Sequence, residues 1–375
     1  MKLFSEAGNI YRFFYKTPTS ERRVVFYAEH SGYYPYFEGL IRELTDNYQQ
    51  TVSYVTSDSL DPVLKAQNPY LRAFYINKLL PSFMRFVDCK VFVMTLTDLN
   101  QFYLKRSRNP VHYVYVFHAL VSTHMMYKRG AFDYYDSILC AGPYHIQEIR
   151  RYEKLAGLKP KKLVEAGYYR LDRIYETCKN QHFLPVTSGK KTVLIAPSWG
   201  DKNILESCGE ELITILLKAG YKVIVRPHPE TIRRSPALIA KLESVFVRHP
   251  EFTLEKSVAS DESLTKADVL ICDCSGVALE YAFGTERPVL FIDVPPKVKN
   301  PKFRELELEP FELELRQKIG VIVSPGDLRA VPATIGELIS KKNAFRDTII
   351  TLRNKNVFAL GESSRIGAQY IMDLL

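Results

Sequence analysis

The chain has 375 residues, of which 46% are apolar and 25% charged, a composition that excludes wholesale disorder and supports a folded globular protein. That length exceeds what one hydrophobic core usually serves, so two α/β domains are expected. A formal net charge of +9 favours a polyanionic partner, either a phosphate-rich substrate or an anionic membrane surface; with no Cys/His finger spacing and no RNP-like aromatic strand, nucleic acid is not expected.

In the first half, the runs Arg23 to Ala28, Thr51 to Val55, Val91 to Met94, Val111 to Phe117 and Ser137 to Cys140 are short and rich in β-branched or aromatic residues. Longer segments separate them, which is the rhythm of an α/β sheet. Asn68 to Asp88 mixes Phe74, Phe83 and Phe86 with Arg72, Lys78 and Arg85. It reads either as an interfacial membrane helix, bent or broken at Pro81, or as a helix packed on the core. The aromatic and basic start, Tyr11 to Lys16 with Arg22 and Arg23, tilts toward membrane contact.

The polar stretch Cys178 to Lys190 reads as an interdomain connection. Domains are accordingly expected over 1–180 and 190–340. In the second half, strands are expected at Thr192 to Ala196, Lys222 to Arg226, Val269 to Cys272 and Pro288 to Ile292, with helices at Ile204 to Ala219 and from Gly276. Such alternation implies a mainly parallel sheet with right-handed crossovers, whose ligands sit beyond the carboxyl ends of the strands. Residues 341–375 read as two helices broken near Gly361 that pack back on the first domain.

Met1 to Ile10 lacks the apolar core and small-residue cleavage site of a signal peptide, and no stretch reaches ~18 uninterrupted apolar residues, so a cytoplasmic protein, soluble or peripheral, is expected. Of the cysteines, Cys89, Cys140, Cys178, Cys208, Cys272 and Cys274, only the last two are close. They lack the partner pair of a zinc site, which leaves free buried thiols and no expected metal.

Asp273-Cys274-Ser275-Gly276 follows an apolar run and opens a helix. The unpaired N–H groups and positive dipole of a helix start suit a phosphate held at Ser275 and Gly276; the alternative is that Asp273 or Ser275 merely caps the helix. Glu280 falls one turn further on, where it either accepts from ribose hydroxyls or lies in solvent. Arg226-Pro227-His228-Pro229 ends a strand with its backbone restrained by two prolines. Arg226 and His228 there suit a diphosphate clamp that stabilises departing charge, or else form a rigid turn with exposed side chains. His118, directly after Val111 to Phe117, suits a general base, although a lone histidine is often structural; His30, His124 and His145 carry weaker claims.

In order along the chain, Phe117-His118-Ala119, Tyr134-Tyr135-Asp136, Gly142-Pro143-Tyr144, Gly167-Tyr168-Tyr169-Arg170-Leu171-Asp172, Ala196-Pro197-Ser198-Trp199, Arg226 to Pro229 and Ala267 to Gly276 resemble the CDP-glycerol glycerophosphotransferase family, the teichoic acid primases and polymerases of bacterial envelopes. The chain departs from the usual family pattern at Ala119, Tyr169 and Cys274-Ser275-Gly276. The resemblance implies a GT-B-type fold, two Rossmann-like domains facing across a cleft that holds a CDP-activated polyol donor. It also implies a lipid-linked or glycan acceptor and peripheral association with the inner face of the cytoplasmic membrane. On it, His118 and His228 are catalytic, Arg226, His228, Ser275 and Gly276 bind the diphosphate, Glu280 holds the ribose, and Asp273, Arg170 and Ser198 support them. No cofactor beyond the donor is implied. Two rivals stay open: a UDP-sugar-dependent GT-B enzyme, either a glycosyltransferase or a UDP-N-acetylglucosamine 2-epimerase relative, and a catalytically silent scaffold at the membrane.

Overall fold

The computed structural model describes residues 2–97, 99–181, 189–257 and 260–375. Its internal contacts divide the chain into two units, one comprising Met1–His118, Tyr127–Arg170 and Val357–Leu375, the other Ala119–Met126 and Leu171–Asn356. The chain therefore leaves the first unit immediately after His118 and returns eight residues later.

In the first unit seven strands pair in parallel: β1 (Val24–Ala28), β2 (Val52–Thr56), β3 (Leu71–Tyr75), β4 (Val91–Met94), β5 (His112–Val116), β6 (Ser137–Cys140) and β7 (Lys162–Glu165). Their order is β3-β2-β1-β4-β5-β6-β7. Strands β1, β2, β4 and β6 are buried along their whole length. Covered on both faces, they need continuous apolar runs, which is why the sequence reveals them. The edge strands β3 and β7 carry Arg72, Lys162 and Glu165 and escape that pattern.

The reading of Asn68 to Asp88 as one interfacial helix is therefore corrected. Its first part is β3, and a separate helix, Leu80–Phe86, begins with Pro81 in its first turn, where proline's missing N–H does no harm. Phe74, Phe83 and Met84 belong to the core. The C-terminal helix, Ser363–Asp373, packs on the helix Tyr34–Arg42. Gly367 allows the approach, since a Cβ there would lie 2.5 Å from a Leu40 methyl.

In the second unit the strands are β8 (Thr192–Ile195), β9 (Lys222–Val225), β10 (Phe252–Leu254), β11 (Val269–Cys272), β12 (Val289–Ile292) and β13 (Gly320–Val323), ordered β10-β9-β8-β11-β12-β13 and paired in parallel. The expected helix Ile204 to Ala219 is two: Ile204–Ser207, whose N–H groups at Leu205 and Glu206 donate to Asn203, and Gly209–Lys218. Cys208, with φ −148° and ψ 12°, breaks the run.

The expected connection at Cys178 to Lys190 is also revised, because the helix Tyr169–Gln181 continues through Lys179 and Asn180. Residues 182–188 lie outside the described residues. The helix Lys342–Asn356 is fastened by Arg353, which is 4% exposed, donates to the Phe283 carbonyl at 2.7 Å and pairs with Glu286 at 3.0 Å. Both units are Rossmann-like, and the fold is GT-B-type.

Candidate functional site

In the second sheet the chain winds to one side through β8, β9 and β10 and to the other through β11, β12 and β13. The direction reverses between β8 and β11, and such switch points open a crevice at the carboxyl edge of a parallel sheet. Ser198 follows β8 and Asp273 follows β11, and they meet there. The Ser198 N–H and hydroxyl donate to the two Asp273 carboxylate oxygens at 2.8 and 2.9 Å. Burial holds the Asp273 carboxyl above its ordinary range, while both bonds from Ser198 pull it back down.

The capping alternative for this helix fails locally, because Asp273 is committed to Ser198 and the Ser275 side chain makes no cap hydrogen bond. Gly276 is a position of close approach. A Cβ there would stand 3.0 Å from a Val121 methyl, 3.2 Å from Ala119 Cβ and 3.2 Å from the Leu120 nitrogen. The segment after His118 thus packs on the helix start. It is anchored by Glu312, whose carboxylate accepts from the Ser122 N–H at 2.7 Å and hydroxyl at 2.9 Å. Glu280 is 4% exposed, which removes the reading of a solvated surface carboxylate.

At the end of β9 the reading of exposed side chains on a rigid turn is likewise removed for Arg226, which is 4% exposed. Its guanidinium donates to the Ser263 hydroxyl at 3.2 Å and lies 4.0 Å from Glu255. His228 caps the helix Pro229–Arg234, its Nδ1 accepting from the Glu230 N–H at 3.1 Å. With Nδ1 used as an acceptor, a neutral imidazole carries its proton on Nε2, which makes that atom the donor. The Trp199 ring lies 6.1 Å from the His228 ring.

In the first unit His118 stands just past β5, half-buried among three tyrosines. The rings of Tyr33, Tyr36 and Tyr127 make T-shaped contacts with it at centroid distances of 5.5, 6.1 and 6.2 Å. Arg170 is buried and donates to the Tyr36 hydroxyl at 2.7 Å, which fixes one wall. Gly167, with φ +86°, turns the chain into that helix while the Phe358 carbonyl presses on it. His145 is a core residue, stacked on Phe117 at 3.8 Å. His124 is buried beside the Leu308 carbonyl at 3.1 Å, and His30 accepts from the Gly32 N–H at 3.1 Å.

The structure therefore gathers Ser198, His228, Asp273, Ser275 and Gly276 at one sheet edge in the second unit, with His118 and Arg170 at the corresponding edge of the first. Motif reading missed Glu312, the tyrosines around His118, and Arg234, Lys297 and Lys299 around Trp199. Lys297 had a usable signal, Pro295-Pro296 just after an apolar strand, the same device that marks Arg226 to Pro229. The others are single residues brought in by tertiary packing.

The pattern of the CDP-glycerol:poly(glycerophosphate) glycerophosphotransferase family matches residues 9–294. The chain belongs to that family. It is an enzyme of the glycerophosphotransferase type, and the family match spans both units. Among solved structures, the wall teichoic acid polymerase TagF, in a variant soaked with CDPG, is 15% identical and superimposes with a TM-score of 0.64 over 100% of this chain and 97% of that one. The UDP-GlcNAc 2-epimerases of Neisseria meningitidis and Methanocaldococcus jannaschii are 11% and 12% identical, with TM-scores of 0.61 and 0.57 over 93% of this chain and 99% of theirs. At these identities the structural likenesses concern the fold. No curated protein sequence matches this glycerophosphotransferase at a significant level.

Proposed function

We propose that this glycerophosphotransferase moves glycerol phosphate, or a related polyol phosphate, from a CDP-activated donor to a hydroxyl of a lipid-linked or glycan acceptor and releases CMP. The observation that carries the reading is the convergence of Ser198, Asp273, His228 and the Gly276 helix start at the β8/β11 switch point of a chain in this family.

In the reaction, His118 takes the proton of the acceptor hydroxyl, whose oxygen forms a bond to the β-phosphorus. The bond from that phosphorus to the bridging oxygen breaks, and CMP leaves with the electron pair. His228, through its Nε2 proton, and the N–H groups at Ser275 and Gly276 neutralise the departing charge, with Arg226 behind them adding positive potential. Glu280 holds the ribose, Asp273 and Ser198 brace the two central loops, and Arg170 braces the wall beside His118. In this reading the imidazole, the helix-start N–H groups and the guanidinium carry the charge stabilisation, and no cofactor beyond the donor is part of the proposal.

A cytoplasmic, peripheral location at the inner membrane face is part of the same proposal. It is supported by the net charge of +9 and by Phe4, Tyr11 and Tyr15, which are 84%, 53% and 76% exposed along the N-terminal segment. Phe13, by contrast, is fully buried. Among the described residues no helix is long and apolar enough to cross a membrane.

The decisive experiment measures the melting of the purified chain with CMP, CDP, CDP-glycerol, CDP-ribitol, UDP and UDP-N-acetylglucosamine. A ligand at ~100 times its dissociation constant stabilises by about 2.7 kcal/mol. Stabilisation by cytidine nucleotides alone is expected. Stabilisation by uridine nucleotides alone overturns the CDP-donor assignment in favour of a UDP-sugar enzyme.

A further inference from the structure

The loop after β12, Val294 to Asn300, returns to the same sheet edge by a restrained route. Pro295 and Pro296 stiffen it, and the Lys299 and Asn300 N–H groups donate to the Met125 carbonyl at 3.0 and 3.2 Å. It delivers two lysines to the indole of Trp199, which follows β8. Lys297 Nζ lies directly over the ring, and Lys299 Nζ is 5.6 Å from its centre. A third cation comes from the helix capped by His228: the Arg234 guanidinium stands 4.7 Å from the same ring.

Ring faces attract cations, but three of them on one indole repel each other. Glu230, whose charge acts on Lys297, is already divided, since it pairs with Arg233 at 2.6 Å and with Arg234 at 2.8 Å. Lys297 Nζ is itself buried and, among the described residues, has no hydrogen-bond partner. A buried ammonium with three donor protons and no acceptor is costly unless a ligand supplies the oxygens.

We infer that Trp199, Arg234, Lys297 and Lys299 form a binding site for the phosphate of a phosphate ester, beside His228 at the carboxyl edge of the second sheet. The indole positions the cations, and the two lysines supply rotatable donors to phosphate oxygens. The phosphate belongs either to the donor's transferred group or to a phosphodiester of the acceptor. Naming a phosphate ester rather than another anion rests on the function proposed above.

Trp199 is the chain's one tryptophan, so its fluorescence reports on this place alone. The full chain is titrated with glycerol 3-phosphate, with a glycerol phosphodiester and with CDP-glycerol, in wild type, Lys297→Met and Lys297→Arg, and CDP-glycerol binding is followed separately by calorimetry. A saturable fluorescence change is expected that weakens roughly tenfold or more in Lys297→Met, the worth of a charge-assisted hydrogen bond, and less in Lys297→Arg. If CDP-glycerol weakens in parallel, the site holds the donor's phosphate. If only the phosphodiester weakens, it holds the acceptor's. No saturable response to any of the three, or equal affinities in wild type and Lys297→Met, overturns the inference. Should Lys297→Met fail to fold, Lys299→Met, altered at an exposed side chain, gives the same reading. A Lys297-dependent response in a wild type that binds no cytidine nucleotide leaves the site standing and removes the proposed function instead.

Discussion

His228 has two separable duties, because Nδ1 caps a helix and Nε2 is the atom that carries the neutral ring's proton. His228→Ala is expected to lose about 1 kcal/mol of stability with the cap and ~10²–10⁴ of turnover with the proton. His228→Asn restores the cap and the melting temperature without restoring turnover; activity in that variant would show that Nε2 does no chemistry. His118→Ala has no cap to lose, and a similar fall in turnover is expected at nearly unchanged melting temperature. Asp273 presents the opposite balance. Its carboxyl is raised by burial, so the folded state binds a proton more readily than the unfolded one, and stability falls as pH climbs from the ordinary carboxylate value through the raised one. Asp273→Asn keeps an acceptor for the Ser198 N–H and removes the charge. It is therefore expected to melt above wild type at neutral pH, with the gap closing toward pH ~4; a lower melting temperature at neutrality would contradict the burial argument. Lys297 is pushed down to about 7, first by burial and then by Lys299 and Arg234, against Glu230 and Asp273, which act to raise it. A phosphodiester, which does not itself titrate there, should bind Trp199's surroundings more weakly as pH rises from ~6 to ~9.

At the scale of elements, small residues decide how closely strands and helices approach. A Cβ on Gly320 would fall 1.8 Å from the Val289 carbonyl oxygen, so Gly320→Ala must push β13 from β12. A loss of about 1–3 kcal/mol is expected in denaturant unfolding. The helix Lys342–Asn356 depends on one buried cation instead. Arg353 reaches Glu286 and the Phe283 carbonyl and lies 4.5 Å from the Tyr175 ring centre. Arg353→Ala leaves Glu286, among the described residues, with the Arg346 pair at 2.8 Å, and is expected to cost about 3–5 kcal/mol, the penalty for breaking a buried pair from one side. Some elements were legible and others were not for a physical reason. The expected strands at Val91 to Met94, Ser137 to Cys140 and Val269 to Cys272 coincide with β4, β6 and β11, because a strand buried on both faces must be apolar throughout. The edge strands β3, β7 and β10 have partly exposed positions that dilute the signal. At Asn68 to Asp88 the apolar residues of a strand and of the following helix ran together into what read as one amphipathic helix.

For the whole molecule, a nucleotide that binds only the native state should raise its melting temperature with concentration, and the donor panel reads this directly. The α/β class, the parallel sheets and the family are all readable from the residues in order, since apolar runs of strand length and motifs just beyond them are local properties of the chain. So is the place of His118, His228, Asp273 and Gly276 at strand ends, because a strand's end is written where its apolar run stops. Which side chains meet is a matter of the folded chain. Ser198 and Asp273 are 75 residues apart and touch because β8 and β11 are neighbours in the sheet. Ser122 meets Glu312 across 190 residues, and Ala119–Met126 joins the second unit although the strand preceding it belongs to the first. Lys297 likewise reaches Trp199 because β12 follows β11 in the sheet. Strand order comes from burying every sheet face at once, a condition on the folded chain as a whole that no local pattern of residues encodes.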